Sequence, residues 1–526
     1  MKRNYFIVAL TFIAALGIVS CSDDDATQHG NIDPVVEAVD YDALSNSTIE
    51  EFVNFAKNPR LGFHLDKAKA YLTNWAQKHG YQPHTDEFGN VWFDVPATKG
   101  FEDYPLVILQ GHMDMICASK SGETYDYTEV VGEPYYEGEG ENKVLKGRTV
   151  NLGADNGIGV ASCLAIAASD AHHGPLRILV TANEDYDMSG ARGISPDVFN
   201  ATALINIDSE QAGNITYGCA GGHARHLTKQ CEAAPLANPA DYKKVTISLS
   251  GLKGGHSGVN IGDHRMSGSV VTDSILRRVV QPFEARLIRI DCGTYNNAIP
   301  FSTLIEFAVK GEDAATVETQ LNALKDEFNQ EFAEETPEWS IYANGTVTAS
   351  DLCSSTTCTD EFITIFKAFP QGVLEQNASG RITKSNNSGI VKLDEGFMRF
   401  QSYQRSDYDS WLAGQVQLFE SLSQQLGMDI EIGTEFPAWN GDGLDALSQM
   451  MMAYYDAEGF NTNMVCELGG LEPAYFVVKN PRLLCTSIGP TIHDAHTIDE
   501  ALYVSTLKPV LKVIMQTLKN ANLLKQ

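Results

Sequence analysis

Leu106-Val-Ile-Leu-Gln-Gly-His-Met-Asp114 is a short apolar run that ends on a histidine and an aspartate. Its brevity and its start behind Pro105 read as a buried strand over Pro105–Gln110. Two later segments repeat the pattern. Val180-Thr-Ala-Asn-Glu-Asp185 delivers Glu184 and Asp185, and Leu204-Ile-Asn-Ile-Asp208 delivers Asp208. A helix over Ile158–Ser169 and strands over Leu176–Ala182 and Ala203–Ile207 give an alternation that predicts a mostly parallel α/β sheet. Sites in such sheets assemble at the carboxyl ends of the strands, so these side chains are expected to converge.

Two further segments extend the constellation. Asn151-Leu-Gly-Ala-Asp-Asn-Gly157 places Asp155 in a glycine-rich loop before a helix, and Gly489-Pro-Thr-Ile-His-Asp-Ala-His496 supplies His496. Two histidines among several carboxylates suit divalent ions, and a pair of ions needs one bridging carboxylate, for which Asp155 is the natural choice. Glu184 and Asp185, adjacent on a strand terminus, are expected to face different ways, one toward metal and one toward the attacking water. Taken singly, Asp114, Asp208 or His256 is more often a cap, a turn residue or a solvated group. The assignment rests on several strands ending on ligands together.

Outside this core, Ser47–Lys57 and Leu65–His79 read as helices covering the sheet. Past Gly221 the pattern changes to alternating segments such as Lys244–Ser250 and Ala285–Ile290, which predicts an inserted α+β domain. Near Pro437 the first style resumes, with a strand at Leu483–Ile488 and a terminal helix whose apolar face carries Leu507, Val510, Leu511, Ile514 and Leu518. The expected division is 34–220 and 437–526 for one discontinuous catalytic domain, with 221–436 inserted as a lid. A chain of 526 residues is long enough for this arrangement. Trp439 is expected to pack where the chain re-enters the catalytic domain, His172-His173 to sit in an exposed loop, and His493 and Asp494 to be loop groups rather than ligands.

With 38 Lys+Arg against 68 Asp+Glu the net charge is −30, which disfavours nucleic acid and anionic headgroups as partners. Met1-Lys2-Arg3, the apolar Tyr5–Val19 and Ser20-Cys21 read as a lipoprotein signal over 1–20, with Cys21 the lipidated residue and 21–33 an acidic tether. The run is short of the roughly 20 apolar residues that span a bilayer. The expected location is therefore that of an exported bacterial lipoprotein, at the outer membrane, in the periplasm or on the cell surface, touching membrane through its lipid alone. The other cysteines show no zinc spacing, and Cys353 and Cys358 are candidates for a local disulfide.

Together and in order, Gly111-His-Met-Asp114, Gly153-Ala-Asp-Asn-Gly-Ile-Gly159, Glu184-Asp185 and Gly489-Pro-Thr-Ile-His-Asp-Ala-His-Thr-Ile-Asp-Glu500 resemble the M20 metallopeptidases. The likeness is to their aminoacyl-histidine dipeptidase (cytosolic non-specific dipeptidase) branch. It implies a two-domain α/β metallopeptidase in which His112 and Asp208 hold one zinc, Asp185 and His496 the other, and Asp155 bridges; Co2+ or Mn2+ also suit such ligands. Glu184 would be the general base and Asp114 the residue orienting His112. Gly254-Gly-His-Ser-Gly258 resembles a lid motif whose histidine, here His256, steadies the oxyanion. Asn297 and Arg405 match lid positions that grip substrate, with an ordinary surface ion pair as the alternative for Arg405. One departure is Glu184-Asp185-Tyr186-Asp187, where the branch usually has Glu-Glu followed by a small residue and glycine. The resemblance implies hydrolysis of dipeptides, Xaa-His among them, by a metal-activated water. A tripeptidase, an N-acyl amino acid amidohydrolase and a non-catalytic surface binding lipoprotein stay open, as does a homodimer against a monomer.

Overall fold

The computed structural model describes residues 39–120, 123–439 and 444–525, which excludes the expected signal, Cys21 and the tether. Helix α1 (Tyr41–Phe55) begins earlier than the apolar spacing suggested, because Asp40 accepts hydrogen bonds from the free amides of Asp42 and Ala43 at 3.1 and 3.0 Å. Strand β1 (Val107–His112) is buried along its whole length, as a strand covered on both faces must be. Helix α2 (Ala154–Ala168) follows, then β2 (Leu176–Thr181) and β3 (Ala203–Ile207).

These strands form the centre of an eight-stranded sheet, in which β1 pairs parallel with both β2 and β3. After β4 (Gly221–Gln230), α3 (Thr356–Ala368) and the rest of the middle segment, the chain returns to this sheet. There β5 (Leu484–Ile488) lies parallel to β3. The terminal helix α4 (Leu507–Lys519) buries the expected Leu507, Val510, Leu511, Ile514 and Leu518 in one core with α1, α2 and the sheet. The expectation of a mostly parallel α/β sheet drawn from both ends of the chain is met.

Residues 221–436 build a second, antiparallel sheet of nine strands that includes β4. Its strand Tyr242–Ser250 alternates buried and partly exposed positions from Val245 onward, because helices cover one face only. The two crossings between the sheets run side by side: Cys219 and Trp439 exchange backbone hydrogen bonds of 2.9 Å each way. Trp439 is buried beside Phe199 and Phe476, the packing role expected of it.

Three expectations are corrected. Glu184 and Asp185 do not end a strand but occupy a one-turn helix, Glu184–Asp187, beyond the end of β2. His173 is buried, its Nδ1 2.7 Å from the Gly174 carbonyl, and His172 stacks on Phe101, so the pair is packing rather than exposed loop. Cys358 faces Cys231, not Cys353, because the first turn of α3 rotates its sulfur inward. No helix among the described residues is long and apolar enough to cross a membrane.

Helix α2 approaches the end of β3 so closely that a Cβ on Gly159 would lie 2.1 Å from the Ile207 carbonyl oxygen. That contact is backbone against backbone, so no side chain can yield. Gly159→Ala is expected to destabilise the protein by about 1–3 kcal/mol, seen in calorimetry as a lower Tm than wild type.

Candidate active site

The carboxyl ends of β1, β2, β3 and β5 open onto one cluster. His112 closes β1, Glu184 and Asp185 follow β2, Asp208 follows β3, and His496 lies in the segment after β5. Asp155 enters from the start of α2, where its own φ/ψ and those of Asn156 are non-helical. The departure from helix turns its carboxylate into the cluster: Oδ1 lies 3.1 Å from His112 Nε2 and Oδ2 lies 2.9 Å from His496 Nε2. His112 Nε2 is also 3.5 Å from Asp208, and His496 Nε2 is 2.8 Å from Asp185. Ligand atoms of His112, Asp155 and Asp208 fall within 4.8 Å of one another, as do those of Asp155, Asp185 and His496. The two triads share Asp155 alone.

Backbone amides hold the acids that follow β2. Ile116 N donates to Asp185 Oδ2 at 3.1 Å, which leaves Oδ1 to face His496. Asp114 accepts from Glu184 N and Asp185 N at 3.0 and 3.1 Å, capping the turn that carries both acids. His112 Nδ1 stands 3.6 Å from Asp114, beyond hydrogen-bond reach, and has no other partner among the described residues. Asp114 therefore positions Glu184 and Asp185 directly and only faces the imidazole it was expected to orient.

The loop before Asp155 is pinned from both sides by residues to which the sequence reading gave no role. Glu500 accepts from Gly153 N at 2.7 Å, Asp155 N at 3.1 Å and Asn151 Nδ2 at 3.1 Å. Arg60, 2% exposed, donates to the Gly153 carbonyl at 2.5 Å. Gly153 itself has φ +66°, and a Cβ there would strike the Arg60 guanidinium. Asn156 ties the strand ends together, accepting from His112 N at 3.3 Å and donating to the Ile207 carbonyl at 2.7 Å. Beneath them Glu472, fully buried, accepts from Gln110 and Thr181 at 2.6 and 2.7 Å. Glu500 stands inside the quoted terminal motif and was legible there as an acid; Arg60 and Glu472 sit in segments with no pattern to mark them.

The charge balance is one-sided. Burial, reinforced by Asp185, Asp208 and Glu472, pushes Glu184 well above the usual carboxylate range, and burial raises Asp208 to about 6 and Glu472 to about 8. Burial alone would lower His112, yet Asp208, Asp114 and Asp155 hold it well above its ordinary value. Hydrogen bonds that His496 donates to Asp155 and Asp185 raise it to about 11. So many acids around two imidazoles are stable only with added positive charge. Two divalent ions match both that deficit and the N/O donor set.

The candidate lid residues form a second group. Arg405 is 3% exposed, lies over the Tyr403 ring at 4.4 Å, and donates to the Leu468 carbonyl at 3.1 Å. Among the described residues no carboxylate pairs with it, so the surface ion pair is not its role. Burial and then Arg405 lower the His256 pKa from its ordinary value, which favours the uncharged ring. Asn297 is exposed and its carbonyl accepts from Ser257 N at 2.8 Å, beside His256. Among the described residues, no hydrogen bond or ion pair joins these three to the two-histidine cluster.

This combination of a parallel sheet ending on two acid–histidine triads with an inserted antiparallel domain defines a metal-dependent peptidase. No family model matches the chain. The cytosol non-specific dipeptidase of Escherichia coli (strain K12) is 30% identical over 472 residues, covering 89% of this chain and 96% of the relative. The crystal structure of aminoacylhistidine dipeptidase from Vibrio alginolyticus superposes with a TM-score of 0.81 at 28% identity, over 90% and 96% of the two chains. Aminopeptidase PepT from Bacillus cereus shares the fold, with a TM-score of 0.51 at 12% identity over 91% of this chain and 98% of its own. The chain belongs to the cytosol non-specific dipeptidase (aminoacyl-histidine dipeptidase) family of M20 metallopeptidases. The expected location as an exported, membrane-anchored lipoprotein is corrected by the same comparison, since the Escherichia coli relative is by name a cytosol enzyme.

Removing the Glu500 carboxylate frees two backbone amides that now aim Asp155. Glu500→Ala is expected to weaken metal retention by about 10- to 100-fold, measured by chelator competition on the purified protein.

Proposed function

We propose that the protein hydrolyses dipeptides, Xaa-His dipeptides among them, with two zinc ions at the paired triads. The metal-dependent dipeptidase reading follows from family membership; zinc, the residue roles and the lid are our assignments. His112 and Asp208 would hold one ion, Asp185 and His496 the other, and Asp155 would be shared by both. The observation that carries this reading is the placement of the two Asp155 oxygens against separate imidazoles. When bound, the ions supply Lewis acidity toward the scissile carbonyl and make water acidic enough to attack near neutral pH.

The protein's own groups account for the rest. Glu184 Oε2 is 3.8 Å from His112 Nε2, at the edge of the shared centre, and its raised pKa suits a base that accepts a proton from water and then gives it to the leaving amine. Asp114 fixes that geometry through the two amides it caps. Arg405, a desolvated guanidinium without a counter-ion, suits the C-terminal carboxylate of a short peptide, which it would take as a bidentate fork. Such a grip, once brought over the two-histidine cluster, would select peptide length and favour dipeptides over tripeptides. His256 would offer a ring N–H to the developing oxyanion, and Asn297 stands beside it as a further polar contact. Because no bond joins these three to the two-histidine cluster, residues 221–436 would close as a lid over the eight-stranded domain that carries it.

Chelated protein is expected to be inactive on a panel of dipeptides that includes an Xaa-His pair, and zinc to restore activity. Cleavage of tripeptides or N-acetyl amino acids in preference to dipeptides would overturn the substrate assignment. Glu184→Gln is expected to lower kcat at least about 100-fold while both metals remain bound by elemental analysis; retained turnover would remove Glu184 as the base.

A further inference from the structure

In the nine-stranded half of the molecule, two remote segments run side by side. A short ladder pairs Ala233 with Ser354 and Ala234 with Cys353, and Ser355 N donates to the Glu232 carbonyl at 2.9 Å. This crossing sets Cys231, one residue past β4, against Cys358 in the first turn of α3. Their sulfurs are 2.8 Å apart and separated by 127 positions in the chain. Both lie in the core that joins this sheet to its helices, 5% and 1% exposed. Cys353 turns the other way, into a separate small cluster with Ile288, Ala308 and Val347.

We propose that Cys231 and Cys358 are a covalent modification site, a thiol pair that hydrogen peroxide converts to a disulfide tying β4 to α3. Cys231 reacts first. It is the more exposed of the two, and the hydrogen bond shared with Cys358, helped by Lys229, holds its thiol below the ordinary value. Its thiolate attacks one peroxide oxygen: an S–O bond forms, the O–O bond breaks, and hydroxide leaves. The Cys358 sulfur then attacks the Cys231 sulfenic acid, forming the S–S bond and breaking S–O, and its proton leaves with the hydroxyl as water. Two thiols lose two electrons and two protons, and the peroxide becomes water. A bridge across so long a loop restricts the unfolded chain strongly, so oxidation raises stability. Neither cysteine belongs to the metal centre, so the inference does not depend on the proposed function.

The full chain would be exposed to hydrogen peroxide, alkylated, digested without reduction and mapped by mass spectrometry, with thermal melts before and after. The expected result is a Cys231–Cys358 linked peptide two hydrogens lighter than its parts, with a Tm rise of several degrees that dithiothreitol reverses. Cys353→Ser is expected to keep both signatures, while Cys231→Ser and Cys358→Ser lose them. A Cys353–Cys358 link, sulfinic acid at Cys231 with Cys358 still alkylated, or two unreacted thiols in the wild type would each overturn the proposal.

Discussion

The active-site architecture depends on one carboxylate facing two imidazoles. Asp155 presents Oδ1 to His112 and Oδ2 to His496, and only a side chain placed between two strand ends, on a backbone that is not helical, can do so. Continuing α2 through Asp155 in regular geometry would aim the side chain along the helix surface. The loop is instead pinned by Glu500 from one side and Arg60 from the other. The near contact of Gly159 with Ile207 seats the helix low enough for Asp155 to reach both histidines. Buried groups of opposite charge thus hold the loop's backbone, and the loop holds the shared ligand.

The same centre concentrates negative charge in a place poor in water. Glu472 lies below it and Glu184 at its edge, both pushed toward the protonated form by burial. The nine-stranded half presents the reverse case, a buried guanidinium at Arg405 with aromatic rings beneath it and, among the described residues, no acid paired with it. An uncompensated acid cluster and an uncompensated cation are each costly in isolation. In the function proposed above, metal ions would relieve the first and a substrate carboxylate the second.

Much of this was legible before any coordinates. His112, Asp208 and Glu184-Asp185 follow from apolar runs that lead into them and His496 from the Gly489–His496 segment, and all of them converge in the structure. The insertion was visible as a change from continuous to alternating apolar segments at Gly221. The turn carrying Glu184 was misread because the apolar run of β2 continues into Ala182 without a helix signal, while the cap that forms the turn comes from Asp114, on another strand. Cys358 was matched to Cys353 on proximity in the chain, whereas the α3 turn gives it Cys231 as neighbour.

The sequence by itself determined the α/β sheet, its interruption by a second domain and the identity of the metal-ligating residue types, because periodicity and run length are local properties of a chain. Only the tertiary structure decided that Asp155 is shared between two triads, that Asp114 caps the turn carrying Glu184 and Asp185, that Glu500 and Arg60 aim the loop and that Arg405 is buried with no carboxylate partner among the described residues. Those facts are hydrogen bonds and burial between residues tens to hundreds of positions apart. No local pattern records them, since each depends on which distant backbone amide or aromatic ring the fold brings to the same few ångströms.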